Sequence, residues 1–318
     1  MKQTITKNFL LIVLAFAVVF AFAMKATVFQ NPTIAAASSP TTVPDQDFAR
    51  YWFGGKAELN HYSLQQAQYG ALNPGEAILI FVTEDFRTDT QVKSETEQTR
   101  DKSVPVIKTN IVKKFITGIY DYSLYTSVFT PINNPSFPNT LKVSTSGQEW
   151  CGHSYLQLNH AANAYRVDGK SYFEKEVAEN YEVDKTLLED ELWNRIRLNP
   201  EKLPVGETRL IPGTIAARLR HKRLDPLPAK AKLAAYEGVL FPGKLLRSYT
   251  IQYPTDDRTL MIVFEQKFPH KIVGWEETYK SKDNLLTSRA VLEKTIQSDY
   301  WNHNAPADST LRAGLMNQ

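Results

Sequence analysis

The 318-residue sequence predicts an α+β protein dominated by β-structure, with one large curved antiparallel sheet or half-barrel and about two packing helices. Most hydrophobic segments alternate apolar and polar residues with period two, or form short apolar runs between turn residues. The 15 Tyr, 16 Phe and 5 Trp are residue types that are enriched in strands. Only two well-separated segments have a helical period, so helices are expected to cover only part of the sheet.

The first strands are predicted as a hairpin. Segments 57–70 and 76–86 alternate and flank ALNPG, in which Pro74-Gly75 is a turn signal. Segment 104–132 is long enough for one bent strand or for two.

Later segments continue the β-pattern. Asp168-Gly169 predicts a tight turn within the segment NAYRVDGKSYFEKEV. TIAARLRHKRL (214–224) is interpreted as a further strand. In it, Arg218, Arg220 and Lys222 would share one face, which would be either a solvated surface or a contact for phospholipid headgroups or an acidic partner.

Two segments predict helices. In 184–200, Asp184 is a candidate cap and Pro200 a stop signal. The apolar stripe between them consists of Leu188, Leu192 and Ile196. In 283–301, residues at spacings of three and four suggest a second helix: Leu285, Ser288, Leu292, Ile296 and Tyr300.

The N-terminus has the pattern of a secretory leader. Lys2 and Lys7 precede an uninterrupted apolar run of 16 residues from Phe9 to Met24. The run is shorter than the ~17–25 residues of a typical membrane span, which favours a removed signal over a permanent anchor. We therefore predict a signal peptide or anchor (1–24), a disordered tether rich in Ala, Ser, Thr and Pro (25–47), and a β-rich domain (48–318). That domain is expected as one unit or as two subdomains with a boundary near 200–213.

The predicted leader implies an exported protein of the periplasm or cell envelope. Cys151 is the only cysteine, so neither an internal disulfide nor lipoprotein acylation at the leader is expected. The net charge of +3 with 22% charged residues gives no strong field, so nucleic acid is not an expected partner. A lipid or an envelope protein remains the candidate partner, and membrane association is expected only through an uncleaved N-terminal segment. No cofactor is expected.

The stretch GQEWCGHSYLQLNH (147–160) contains the strongest candidate for chemistry. As one strand it would place Glu149, Cys151 and His153 on the same face, at i, i+2 spacing, too far apart for a reliable direct contact. We therefore favour a half-buried cysteine beside a hydrogen-bonded histidine over a nucleophile or a metal site. A metal site would need His61 or His160 in addition, so no metal is predicted.

Other patterns are weak. GVLFPGKL (238–245) has the spacing of a phosphate-binding loop, but Leu245 stands where a Ser or Thr should be. The aromatic group that includes Trp52 beside Gly54-Gly55 fits a sheet core better than a ligand clamp. The weak ligand-binding candidates are Trp52, His61, Glu149, Cys151 and His153.

Several stretches carry a resemblance that spans most of the chain after residue 48. They are YWFGGKAELNHYSLQQAQYG, GEAILIFVTEDF, SGQEWCGHSYLQLN, GETRLIPG and YWNHNAPADSTLR. They resemble an uncharacterised family of exported envelope proteins and lipoproteins from Gram-negative bacteria, some of which are named septum formation inhibitor Maf. Maf pyrophosphatases share a Ser-x-Ser-Pro-Arg-Arg motif, whereas here Ser38-Ser39-Pro40 is followed by Thr41-Thr42, so no Maf residue is carried over.

The later half, with IVFEQKFPHKIVGWEETY, is similar to envelope proteins with the half-barrel of periplasmic lipoprotein carriers. The resemblance implies a fold and not a function. We expect a non-enzymatic protein that binds an apolar ligand, a lipid or a protein partner on a concave β-sheet. The alternative is a hydrolase, including the nucleotide pyrophosphatase that the Maf name implies, using Cys151 and His153 or acidic residues.

Overall fold

The computed structural model describes residues 45–176 and 178–316. These residues belong to one compact unit. The predicted signal peptide (1–24) and residues 25–44 of the predicted tether lie outside the described residues. In the described part of the chain, no helix combines the length and the apolar character needed to cross a membrane.

The described residues form 15 strands, which all lie in one sheet. They are β1 (Ala57–Gln68), β2 (Ala71–Arg87), β3 (Ser103–Thr117), β4 (Tyr120–Pro131), β5 (Lys142–Glu149), β6 (Gly152–His160), β7 (Ala164–Ser171), β8 (Ala178–Asp184), β9 (Leu187–Leu188), β10 (Gly206–Ile211), β11 (Leu227–Ala235), β12 (Leu246–Tyr253), β13 (Arg258–Glu265), β14 (Ile272–Ser281) and β15 (Asn284–Ser298).

The sheet is open and curved, and it confirms the predicted fold class. Its strand order is β8-β7-β6-β5-β4-β3-β2-β1-β15-β14-β13-β12-β11-β10-β9. Neighbours are antiparallel except for β9 and β10, which pair in parallel. The first and last strands therefore pair at the centre, and strands from both sides of 200–213 lie in the same sheet.

The described residues form four short α-helices: α1 (Asp45–Trp52), α2 (Leu192–Leu198), α3 (Thr214–Leu219) and α4 (Ser309–Met316). The predicted tether ends at residue 47, and α1 begins at Asp45. The helix predicted in 184–200 is confirmed only for its second half, as α2, which follows a 3₁₀ turn at Glu189–Glu191 and ends before Pro200. The predicted start is wrong, because Asp184 is the last residue of β8 and Leu188 belongs to β9.

The helix predicted in 283–301 is wrong, because this segment is strand β15. Both faces of β15 are covered: Leu292 packs towards the core on the inner face, and Ile296 packs beneath α4 on the outer face. A β-bulge at Glu293 reverses the alternation between them, since His61 pairs with Lys294 and Tyr62 with Leu292. Leu292 and Ile296 are therefore both covered although they lie on opposite faces, and their spacing of four residues resembles one apolar face of a helix.

The strand predicted at 214–224 is also wrong, because its first six residues form α3. Ile215, Ala216, Ala217 and Leu219 are all buried, so this helix has no polar stripe that would reveal its period. Arg218 lies on the helix, whereas Arg220 and Lys222 lie in the loop that follows it, so the three do not share a strand face.

The predicted first hairpin is confirmed, but its turn is at Tyr69-Gly70. Gly75 instead lies inside β2, where a Cβ atom would clash with the carbonyl oxygen of Lys114 on β3. Segment 104–132 forms two strands, β3 and β4. The turn predicted at Asp168-Gly169 is wrong, since both residues pair with β6 and β8 inside β7.

The inner face of the sheet packs against the chain's own segment 189–219. Trp193 of α2 meets Trp275 edge to face at 5.1 Å between ring centroids, and Ile196 and Ile215 join the same cluster. Asn194 ties α2 to two strands, since its Nδ2 donates to the carbonyl oxygens of Ile107 at 3.2 Å and of Val128 at 3.3 Å. The concave surface is therefore largely occupied by the protein itself.

A fully buried ion pair fixes the end of α2. Arg197, 0% exposed, donates from both terminal nitrogens to Glu58 of β1 at 2.5 and 2.6 Å. Its guanidinium carbon lies 4.6 Å from the centroid of Phe81 and 5.0 Å from that of Trp52. Burial alone would raise the pKa of Glu58, but the charge and hydrogen bonds of Arg197 hold that pKa below its usual value.

A second buried network joins the 3₁₀ turn to the sheet. Arg258 donates to Glu189 at 2.6 Å and to Glu277 at 2.6 Å. Asp190, beside Glu189, accepts the backbone N–H of Thr214 at 2.9 Å and so connects the turn to α3. A cavity of about 30 Å³ lies among these side chains, which is room for one or two waters.

Candidate ligand-binding site

Several turns meet at one end of the sheet, because consecutive antiparallel strands reverse direction there. We call this end the rim, and it consists of residues 69–70, 118–119, 150–151, 172, 254–257 and 282–283 together with the loop 220–222 that follows α3.

A polar cleft of about 580 Å³ opens at the rim. This volume is within the ~300–1,000 Å³ of typical small-molecule sites. Four cationic side chains and two carboxylates line it: Arg220, Lys222, Lys280, Lys282, Asp256 and Asp257. The lining therefore has an excess of two positive charges before His221 is counted.

One wall of the cleft is held by Asp256, whose side chain is buried. It pairs with both Arg220 and Lys222, and Arg220 Nη2 also donates to the Asp256 carbonyl oxygen at 3.1 Å. Burial alone would raise the pKa of Asp256, but hydrogen bonds from Arg220 and Lys222 hold that pKa below its usual value. This carboxylate is neutralised, and it fixes the loop after α3.

Two further lysines line the cleft where β14 ends. Lys280 and Lys282 are exposed at the end of β14, and neither makes an ion pair with any residue that the structure describes. Lys282 Nζ lies 5.9 Å from the ring centroid of Tyr69, which also lines the cleft. These two ammonium groups are available to an anion.

A group of tyrosines continues from the cleft along the rim. The hydroxyl groups of Tyr69 and Tyr122 are 2.5 Å apart, and Tyr120 donates to Tyr69 at 2.9 Å. Burial, followed by hydrogen bonds with Tyr69 and Glu149, raises the pKa of Tyr122. The ring of Trp150 lies 6.3 Å from that of Tyr120.

The stretch around Cys151 is not one strand, so the predicted placement is wrong. β5 ends at Glu149, β6 begins at Gly152, and Trp150-Cys151 forms the two-residue turn between them. Glu149 and Gly152 pair across the turn. The cysteine lies at the tip of a hairpin and is exposed, where half-burial was expected.

Glu149, Cys151 and His153 lie on the same hairpin, but among the described residues no hydrogen bond or ion pair connects their side chains. Glu149 forms an ion pair with Arg218 of α3, whose Nε donates to Ser154 at 2.7 Å. His153 is exposed on β6, and among the described residues no hydrogen bond joins it to Cys151. Glu149 therefore anchors α3 to the hairpin.

Trp52 and His61 lie away from this hairpin. Trp52 packs in the core against Tyr51, with ring centroids 5.0 Å apart. His61 lies on the outer face of β1, where its Nε2 is 3.8 Å from Glu76. Its Nδ1 has no hydrogen-bond partner among the described residues.

No group of three His, Cys, Asp or Glu side chains in ranges 45–176 and 178–316 is arranged to hold a metal ion. His160 instead contacts Lys185 Nζ at 3.1 Å from its Nε2. Burial, followed by the charge of Lys185, lowers the pKa of His160.

Sequence reasoning noticed parts of the cleft without assembling it. It considered the basic residues of the loop after α3 and a possible headgroup contact, but on a strand that does not exist. It did not single out Lys280 or Lys282. The segment KSK at 280–282, directly before the segment predicted as a helix, carries no signal that sets these lysines apart from solvated surface lysines.

Comparisons with protein-family models, with curated proteins and with solved structures found no match to this chain.

Proposed function

We propose that this chain is a non-enzymatic binding protein of the cell envelope that holds an anionic group, of the kind found on lipid headgroups, in the cleft at the rim. The observation that carries this proposal is the pair of exposed ammonium groups of Lys280 and Lys282, which have no ion-pair partner among the described residues, in the lining of a cleft whose carboxylate Asp256 is already neutralised. An anion that enters the cleft has both lysines among its lining residues.

A lipid was among the partners expected from the sequence, but the proposed binding site is the cleft at the rim and not the concave face of the sheet. A ligand on the concave face would have to displace α2 and α3, which pack there through Trp193, Ile196 and Ile215. The inner cavity of about 30 Å³ is too small for anything larger than one or two waters. The cleft at the rim is open without any rearrangement.

The expected affinity is modest and depends on salt. Two unit charges 4 Å apart in water interact by about 1 kcal/mol, so Lys280 and Lys282 together contribute about 2 kcal/mol. This corresponds to roughly 30-fold in Kd. Because both ammonium groups are exposed, raising the ionic strength above ~0.1 M should weaken binding.

The test is calorimetric titration of residues 43–318 with glycerol phosphate and with inorganic phosphate. Lys280→Gln/Lys282→Gln should raise Kd about 30-fold. The matched control is Lys230→Gln/Lys232→Gln, which removes two exposed charges at the same spacing on β11, outside the cleft. Equal effects of the two double variants, or no binding by the unmodified protein, would refute the proposal.

The hydrolase alternative stays a prediction. In the described residues Cys151 and His153 have no contact that would activate a thiol, and Asp256 is held by two cations. No specific observation favours that chemistry over binding.

A further inference from the structure

The rim exposes a group of large apolar side chains on neighbouring turns. Ile119 is 83% exposed at the β3–β4 turn and Trp150 is 67% exposed at the β5–β6 turn. Tyr172, just after β7, is 69% exposed and its ring packs over Gly152 beside that second turn. Single exposed apolar residues are normal on a surface, but a contiguous group usually marks an interaction site.

This apolar group is continuous with the basic cleft. The Trp150 ring lies near that of Tyr120, tilted against it. Tyr120 is hydrogen-bonded to Tyr69, and Tyr69 lies beneath the ammonium group of Lys282. Aromatic tips, tyrosine hydroxyls and lysines therefore follow one another across the same end of the sheet. Indole and phenol side chains with flanking lysines are typical of a membrane–water interface.

We infer that the rim docks on the surface of a bilayer that contains anionic phospholipid, with Ile119, Trp150 and Tyr172 at the boundary between headgroups and acyl chains and a lipid phosphate in the cleft. The inference rests on the proposed anion binding, and it identifies the anion as the phosphate of a membrane lipid. It adds a second membrane contact to the one expected from the N-terminal segment.

Electrostatics at the rim support this occupant. A cationic residue near an anionic leaflet contributes about 1 kcal/mol. Two carboxylates that would otherwise be repelled by an anionic membrane are neutralised within the protein. Glu149 pairs with Arg218, and Asp256 pairs with Arg220 and Lys222. The exposed carboxylates of Asp257 and Asp283 remain and reduce the attraction.

The geometry also favours a bilayer over a single peptide. Ile119 and Trp150 lie at the tips of two separate hairpins, β3–β4 and β5–β6. Each hairpin is held by a full ladder of strand pairs, so the tips can penetrate a soft surface together without new folding.

The experiment is vesicle co-sedimentation of residues 43–318. This range is a compact unit by itself, and it lacks the apolar run at 9–24, which would bind vesicles independently. The vesicles are phosphatidylcholine alone, or phosphatidylcholine with about one third phosphatidylglycerol. We expect binding to the anionic vesicles and little to the neutral ones, with a blue shift in fluorescence that Trp150→Phe abolishes.

The apolar contribution is tested by Ile119→Ser/Trp150→Ser. This variant should weaken binding to anionic vesicles at least about tenfold, because burial of each side chain contributes on the order of 1 kcal/mol or more, and it should leave Kd for glycerol phosphate unchanged. The matched control is Val239→Ser/Leu240→Ser, in the exposed loop at the opposite end of β12, which should change neither measurement.

The outcomes separate the two proposals. If glycerol phosphate binds but anionic vesicles bind no better than neutral ones, the cleft binds a soluble anion and the membrane inference is wrong. If Ile119→Ser/Trp150→Ser binds vesicles as the unmodified protein does, the membrane inference is also wrong, and a protein partner becomes the better occupant. If vesicles bind and glycerol phosphate does not, anion binding in the cleft fails, and so does the headgroup site.

Discussion

Replacing Arg197 by Met should be among the most damaging single substitutions in this protein. The arginine is completely buried, and its two hydrogen bonds of 2.5 and 2.6 Å neutralise Glu58. After the change, Glu58 would keep Nδ2 of Asn60 at 2.8 Å and the hydroxyl of Tyr51 as donors, but no cation. Removing one partner of a buried ion pair typically destabilises a protein by 3–5 kcal/mol, so we expect about 3–5 kcal/mol here.

The assay is urea unfolding at pH 7, with the free energy of unfolding taken from the midpoint and slope. The control is Arg100→Met, the same substitution in an exposed pair with Glu97, which should cost no more than about 1 kcal/mol. The double variant Glu58→Met/Arg197→Met should recover much of the loss, because no uncompensated charge stays buried.

The pH dependence supplies a second check. Because the folded-state pKa of Glu58 is lowered, its contribution is present above its unfolded pKa of about 4.3 and is lost as pH falls through the folded value. In Arg197→Met that carboxyl can take up a proton instead, so the deficit should shrink towards pH 4. A loss below about 1 kcal/mol at pH 7, or one independent of pH, would refute this reasoning.

Three further outcomes are expected. Burial, partly offset by the Thr214 N–H, raises the pKa of Asp190 to about 7, so the stability that this group contributes is present below its unfolded pKa and is lost as pH rises through 7. In urea unfolding, the free energy of unfolding of Asp190→Asn should therefore rise relative to that of the wild type by on the order of 1 kcal/mol or more between pH 5.5 and 8.5. A difference that does not change with pH would contradict this. Gly274→Ala should lower the melting temperature, since its Cβ would meet the carbonyl oxygen of Ala290, whereas a tolerated alanine would show that β14 can shift. Cys151→Ala should leave folding and any activity found in hydrolase screens within about twofold, and a loss of many orders of magnitude with intact circular dichroism would favour the hydrolase alternative.

Local patterns predicted the fold class well. Strands such as β2, β3 and β13 alternate or form short apolar runs, and these features depend only on neighbours in sequence. Helix α2 was also predictable, because its Leu/Ile stripe ends at Pro200. Helix α3 was not predictable, since its six residues, five of them buried, span less than two turns. Strand β15 imitated a helix because a bulge separates two covered faces.

The cleft could not be predicted, because its parts are far apart in the chain. Tyr69, Arg220, Asp256 and Lys282 each sit at a turn, where charged and polar residues are ordinary. Only strand pairing brings these turns to one end, and that depends on contacts across more than a hundred residues. In the sequence, Lys280 and Lys282 look like any solvated surface lysines.

The pairing of β1 with β15 has a consequence for how the chain acquires its structure. Ala57 lies opposite Ser298, so the middle of the sheet cannot form until nearly the whole chain has been synthesised. Strands β1–β8 and strands β10–β14 can each form from local hairpins. Until β15 pairs with them, β1 and β14 are unpaired edge strands. Closing so long a loop is slow, and a nascent chain that stops before β15 would expose two unpaired edges, which makes it a natural target for chaperones and proteases.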